Sequence, residues 1–192
     1  MNEMPQPPEE MKRLHVLAGS WSGKEMMHPS PWDQGGPTKA KIEARVECDG
    51  SCVVQDYAQT REGKVTYRGH GVFGYDARER RYLMHWTDSM GGVPAQAVPG
   101  RWEGDMLTFA HHGPMGHFRY IYRFAGADKF DMLIENSQDG MQWAPFIEAS
   151  YKRKAAKKKA AKAKTKAKPK ATKKAKAKAK PKAKKKAPKK RK

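Results

Sequence analysis

Two-residue alternation, interrupted at short intervals by turn residues, is the feature that most narrows the fold of this chain. In Lys41-Ile42-Glu43-Ala44-Arg45-Val46-Glu47-Cys48, one face takes Ile42, Ala44, Val46 and Cys48. After Met115, Phe118, Tyr120, Tyr122 and Phe124 fall on one side, His117, Arg119 and Arg123 on the other. A period of two belongs to a half-buried strand, not to a helix. Strands are expected at Ser20 to Met27, Lys41 to Cys48, Cys52 to Thr60, Lys64 to Tyr75 and Arg81 to Asp88. Five more are expected at Ala95 to Trp102, Met106 to His111, His117 to Phe124, Lys129 to Ser137 and Met141 to Tyr151. The connections are short and rich in turn residues: Asp49-Gly50, Arg61-Glu62-Gly63, Glu103-Gly104-Asp105, Ala125-Gly126-Ala127-Asp128 and Asp139-Gly140. One short helix is expected from Pro8 to Leu17, with acidic residues in its first turn and Gly19 as its stop. About ten consecutive hairpin-linked strands make the fold all-β and favour an antiparallel up-and-down barrel, because closure removes exposed edges.

Charge divides the chain in two. Lys152 to Lys192 holds 24 of the 40 Lys and Arg residues and no Asp or Glu. The preceding residues hold the other 16 basic residues and all 20 acidic ones, a balance of −4 within an overall +20. The expected domains are therefore 1–151, a barrel, and 152–192, a basic tail. The tail is Lys, Ala and Pro almost throughout, with no aromatic residue and no Leu, Ile, Val or Met. Such a segment cannot bury a core against its conformational entropy, and it is expected to be disordered. No run of apolar residues is long enough to span a membrane, and the acidic, Pro-rich start does not read as a secretory signal. Two cysteines make no disulfide framework. A cytoplasmic protein is expected.

The tail's use follows from its charge density. About 24 cations match the phosphates of about 12 base pairs, and counterion release makes such binding steeply salt-dependent and blind to sequence. With only Arg191 after Arg153, the tail lacks the planar forks that read guanine, and it has no rings to stack on bases. Lys157, Lys158, Lys159, Lys173, Lys174, Lys184, Lys185, Lys186, Lys189, Lys190 and Arg191 are the expected phosphate contacts. The composition resembles the Lys/Ala/Pro-rich C-terminal tails of linker histones and bacterial histone-like proteins. The resemblance implies non-specific nucleic-acid binding, DNA above all, and nucleoid association. Other polyanions, ribosomal RNA and polyphosphate among them, remain as alternatives.

The body carries two further resemblances. Gly19-Ser20-Trp21, on the first strand after a short helical turn, resembles the opening motif of the calycins, the lipocalins and fatty-acid-binding proteins among them. That likeness implies that Trp21 plugs one barrel end under a basic residue late in the last strand, Lys152 or Arg153. Longer stretches extend it: Met27-His28-Pro29-Ser30-Pro31-Trp32-Asp33, Gly69-His70-Gly71-Val72-Phe73-Gly74-Tyr75-Asp76, His85-Trp86-Thr87-Asp88-Ser89-Met90-Gly91 and Trp102-Glu103-Gly104-Asp105. In this order they resemble the bacterial family known as domain of unknown function 1579. The resemblance implies a calycin-like barrel and no particular activity.

Alternation nominates the residues that face a ligand. Trp21 inside places Gly23, Glu25 and Met27 inside. A two-residue turn at Asp49-Gly50 places Val53, Gln55 and Tyr57 inside and points Cys48 and Cys52 apart; a three-residue turn sets the cysteines opposite each other. A four-residue turn at Asp76 to Glu79 pairs His70 with His85 on the exterior and puts Tyr67, Phe73, Tyr82, Met84 and Trp86 inside. The candidate ligand residues are Glu25, Trp32, Gln55, Tyr57, Tyr67, Trp86 and Tyr120, with Gly19, Trp21 and Arg153 as a structural plug. Trp32 reads equally as a lid or as a plug that pins its loop. Glu25 and Gln55 orient a ligand or bond to buried tyrosines.

Seven histidines raise the question of metal or haem. No short metal-site spacing joins His70, His85, His111, His112 or His117 to a cysteine or carboxylate, and no position matches the haem ligand of calycin-like barrels. No cofactor is expected. Nucleophile-elbow, P-loop and dinucleotide fingerprints are absent from the sequence. Two readings remain. One is a non-enzymatic protein with a nucleic-acid-binding tail and a barrel for a small apolar ligand or a partner. The other is a small-molecule-binding, haem-binding or enzymatic barrel with an incidental tail.

Overall fold

Every strand pairs antiparallel with its neighbours in sequence, and the last returns to the first. The structure, a computed structural model, describes residues 6–31, 33–91 and 96–155. Trp32, Ala95 and the tail residues from Lys157 to Arg191 that were assigned above lie outside them, so the expectation of a disordered tail is not addressed. The strands are β1 (Gly19–Met27), β2 (Gly36–Glu47), β3 (Cys52–Arg61), β4 (Lys64–Asp76) and β5 (Arg81–Asp88). They continue as β6 (Val98–Glu103), β7 (Met106–Gly113), β8 (Gly116–Phe124), β9 (Lys129–Ser137) and β10 (Ala144–Arg153). Together they form a closed ten-stranded barrel, the expected up-and-down architecture. Seven consecutive pairs join β1 to β10, from Trp21 opposite Arg153 to Met27 opposite Ile147.

The starts of the odd strands and the ends of the even ones gather at one rim, and the N-terminal segment covers it. The expected helix is split: α1 (Glu9–Arg13) passes directly into a 3-10 turn, Leu14–Leu17. A five-residue helix does not persist alone; here Met11, Leu14 and Leu17 are buried in the barrel end. His15 Nε2 lies 3.0 Å from the Gly50 carbonyl, and Arg13 donates to the Gly104 carbonyl at 3.1 Å. The Arg13 guanidinium also rests 4.7 Å from the Trp102 ring centre. Below this cover Trp21, Val53, Phe73, Leu107, Phe109, Phe130 and Tyr151 are fully enclosed. Trp21 meets Phe130 edge-on at 4.8 Å, and Phe130 stacks on Tyr151 at 4.7 Å. A ten-stranded ring is wide, and only side chains of this size fill it.

Most of the expected faces are present, with local corrections. Val53, Gln55 and Tyr57 are buried beside Ile42, as the expected β2–β3 register requires. The register is the one the two-residue turn requires, and the Ser51 N–H donates to the Cys48 carbonyl around Asp49-Gly50 at 3.0 Å. Glu47 pairs with Cys52 across a four-residue loop in which Cys48 and Asp49 both take left-handed backbone, and both cysteines are free.

The β4–β5 pairing is displaced by one turn position. Tyr75 faces Tyr82, so His70 lies opposite Thr87 and His85 opposite Val72, and the two histidines are not a pair. The cause is Asp76, whose carboxylate accepts the backbone N–H groups of Arg78 at 2.9 Å and Glu79 at 3.3 Å. That keeps Asp76 in the strand and pushes the turn one residue on, where Arg80 closes it in left-handed backbone. The aromatic face still points inward, since the displacement preserves the alternation. The last strand begins at Ala144 instead of Met141, because Asp139 holds the N–H groups of Met141 and Gln142 at 2.8 and 2.9 Å in the preceding loop.

Trp21→Ala removes the largest enclosed side chain at the covered end. It is expected to cost about 3–5 kcal/mol of unfolding free energy, read from urea midpoints at constant m-value. A cost below about 1 kcal/mol would show that the barrel end repacks without the ring.

Candidate ligand-binding site

The covered end is fastened around Trp21. Its indole N–H donates to the Leu17 carbonyl at 2.8 Å, and the Arg153 guanidinium lies 4.0 Å over the ring. Arg153 also donates to the carbonyls of Val16 (2.9 Å), Ala127 (2.8 Å) and Ala18, and pairs with Asp128 at 3.2 Å. Gly19 takes a positive φ of +132°, which L side chains rarely adopt, and a side chain there would collide with the Arg153 guanidinium. Gly19, Trp21 and Arg153 thus meet at one point. Lys152, the other basic residue considered, is exposed. This end is sealed and offers no ligand entry.

Glu25, Tyr57 and Gln55 are buried, but two of them are occupied with one another. The Glu25 carboxylate accepts from Thr38 Oγ1 at 2.9 Å, Gln59 Nε2 at 2.9 Å, Tyr57 OH at 2.8 and 3.0 Å, and Tyr151 OH. Four donors on one carboxylate suit its acceptor-only chemistry and leave it little capacity for a ligand. Burial, then the adjacent Glu25 charge, holds the Tyr57 hydroxyl far above its ordinary range. Burial, then the neighbouring Tyr57 and Glu25, holds the Tyr151 hydroxyl well above its ordinary range too. This knot ties β1, β2, β3 and β10 together across the lumen. Gln55 is buried beside it, outside this set of bonds. Alternation alone places Gln59 on the face of Gln55 and Tyr57; nothing local marks Thr38 and Tyr151 as donors to Glu25.

Across the lumen, exposure rises toward the open end. Along β8, Phe124 and Tyr122 are buried, whereas Tyr120 and Phe118 are half-buried. The same change separates Met84 from Trp86 and Asp88, Phe109 from His111, and Met132 from Ile134. These inward side chains line a recess. Trp86 lies flat against Gly69 and Gly71, where a Cβ atom would collide with its ring. Its indole N–H donates to Tyr67 OH at 2.9 Å, and Tyr67 OH donates to the Asp88 carboxylate at 2.8 Å. Asp88 also accepts the Met90 N–H at 2.9 Å. The Tyr120 hydroxyl lies 3.4 Å from His111 Nε2, and the His111 ring is nearly parallel to those of Tyr120 and Phe118. Burial and then the Asp88 charge push the Tyr120 hydroxyl up to about 12. Burial, with His112 second, holds the His111 imidazole below its ordinary value. At neutral pH the recess thus presents neutral hydroxyls, a neutral imidazole, aromatic faces and one carboxylate.

The rim above is apolar and exposed. Met90, Met115 and Met141 stand exposed on the β5–β6, β7–β8 and β9–β10 connections, and Val65 at the start of β4. The β1–β2 connection is pinned instead, by Arg61 donating to Asp33 at 2.9 Å. Of the sequence-nominated residues, Tyr67, Trp86 and Tyr120 come together here. Glu25 sits in the knot, and Tyr57 belongs to both: its hydroxyl donates to Glu25, while its ring meets those of Tyr67 and Trp86 edge-on at 5.7 and 6.0 Å. Asp88, His111, Phe118 and Ile134 were not nominated as ligand residues, although each stands two residues from an inward one and Phe118 heads the aromatic row of β8. His70, the exterior histidine, is held by Asp56 at 2.8 Å, and no group of three or more metal-ligand side chains occurs among the described residues. No helix among the described residues is long and apolar enough to cross a membrane.

The family described as "Protein of unknown function (DUF1579)" matches residues 6–153. Among solved structures, the chain is similar to Rv2717c from M. tuberculosis at 13% identity and a TM-score of 0.59, over 78% of this chain and 100% of that one. It is also similar to the S-type phycobiliprotein lyase CPES from Guillardia theta at 14% identity and a TM-score of 0.55, over 80% of this chain and 100% of that one. At these identities the likeness is one of fold. No curated protein sequence matches the chain.

Glu25→Gln turns one acceptor of the knot into a donor facing four donors, and is expected to destabilise by about 1–3 kcal/mol in chemical denaturation. A neutral effect would show that the knot is not closed. His111 supplies a pH test. Its proton affinity is lower in the folded chain than in the unfolded one, so its contribution is complete above about pH 6.5 and is lost as pH falls further. His111→Gln is therefore expected to lose less stability than the wild type between pH 7.5 and about 5, measured by thermal melts. Equal losses would place the imidazole in water.

Proposed function

We propose that this chain, which belongs to the DUF1579 family of proteins of unknown function, is a non-enzymatic binding protein that takes a small, largely apolar ligand at the open end of its barrel. The observation that carries this is the half-burial of the inward residues Tyr67, Trp86, Tyr120 and Phe118, whose neighbours one step deeper are enclosed. Ligand sites are concave and mostly apolar, with a few placed polar groups, and this recess has that composition. Methionines at the rim supply a soft, adaptable collar. The fold is shared with a protein titled a phycobiliprotein lyase, but a fold assigns no function by itself; the recess does the arguing. Native mass spectrometry of the intact chain, stripped of nucleic acid at high salt, is expected to retain a bound small molecule that Trp86→Ala releases. A chain that carries none and binds no apolar probe at the recess would overturn the reading.

A separate observation supports a second activity. The 24 basic residues between Lys152 and Lys192, with no acidic residue among them, suit sequence-blind binding of DNA phosphates. Full-length protein is expected to shift duplexes of unrelated sequence equally. Its log affinity should fall with log salt at a slope of about −0.9 for each phosphate contacted. Truncation after Ala155, which keeps β10 and Arg153, is expected to abolish the shift. Full affinity in the truncated chain would remove the tail from the account.

A further inference from the structure

We infer that the open-end recess selects an organic cation, an alkylammonium group on a small apolar body, over neutral and anionic ligands of the same shape. The inference rests on the recess being a ligand site, and adds its charge preference. Its walls are rings: Trp86, Tyr67, Tyr120 and Phe118, all half-buried and facing inward. Aromatic faces carry the negative part of the ring quadrupole and attract cations, most strongly where water is excluded. Asp88 is the only charged residue among the described inward-facing ones at the open ends of β4, β5, β7, β8 and β9. Its two oxygens accept one internal bond each, from Tyr67 OH and the Met90 N–H. Each oxygen keeps a lone pair for a ligand. Among the described residues, no basic side chain forms an ion pair with this carboxylate. Arg61, on the β1–β3 side of the opening, donates to Asp33 at 2.9 Å through one terminal nitrogen, while its buried Nε–H has no partner among the described residues; His111 is held neutral. Tyr67 and Tyr120 keep their protons, so their oxygens add neutral acceptors and no second charge. An anion would meet Asp88 without a counter-charge; a neutral ligand would leave it uncompensated in a partly dry site. A cation satisfies both the carboxylate and the rings.

The test uses the full chain, whose net charge of +20 works against adventitious cation binding. Choline and its neutral isostere 3,3-dimethylbutan-1-ol are titrated against ¹⁵N-labelled protein, with the backbone amides of β5 and β8 as reporters. The expected result is binding of choline about tenfold tighter than the isostere. Asp88→Asn should erase that preference without weakening the isostere, and Trp86→Leu should weaken both. If Asp88→Asn fails to fold, the ratio of the two probes on the wild type and on Trp86→Leu decides alone. Equal binding of the two probes, lost together in Trp86→Leu, would overturn the charge preference and leave the recess standing as a ligand site. Binding of neither probe would also overturn it, and the recess itself would then be judged by the ligand retained in native mass spectrometry.

Discussion

Closure of the sheet between its first and last strands is the constraint on which the rest of this barrel depends. Until β1 meets β10, each carries a row of unpaired backbone groups and the interior has no boundary. The seam is fastened at two levels by side chains from β10. Arg153 covers Trp21 and caps three carbonyls on both sides of the join. Tyr151, two residues earlier, reaches across to Glu25 on β1. One strand end therefore supplies both the aromatic packing and the polar link that hold the ring shut.

Filling a ring of this width divides its interior into three regions. The covered end is packed with aromatic and aliphatic side chains, and N-terminal residues complete it. One side of the lumen is filled by a polar knot in which a carboxylate is satisfied entirely by neutral donors. A buried charge is tolerable only when so fully bonded. The remaining side, from β4 to β9 at the open end, has inward residues but no covering layer among the described residues. A recess results where the packing stops, and its chemistry is that of whichever residues the alternation placed there.

Much of this was legible in the residue pattern. Strand number, the inward aromatic row of β8, the face of β4 and β5 and the short N-terminal helix all follow from local periodicity and turn chemistry. Two of the local departures share one reason: an aspartate at a strand end bonding to the turn. Asp76 moved the β4–β5 pairing and separated His70 from His85, and Asp139 delayed the start of β10. The site was legible in part. Tyr67, Trp86 and Tyr120 were recognisable as inward aromatics, but Glu25 and Tyr57 carried the same signature. Their separation into a closed knot and an open recess depends on Thr38, Gln59 and Tyr151, which come from three different strands.

The residue order by itself determined the period-two pattern, the turns, and the charge division between a body at −4 and a tail at +24. Each is a property of neighbours along the chain. Only the tertiary structure decided which inward polar groups are spent on one another and which remain free. That choice turns on strand registers and on the first and last strands meeting, distances of more than a hundred residues that local pattern does not encode.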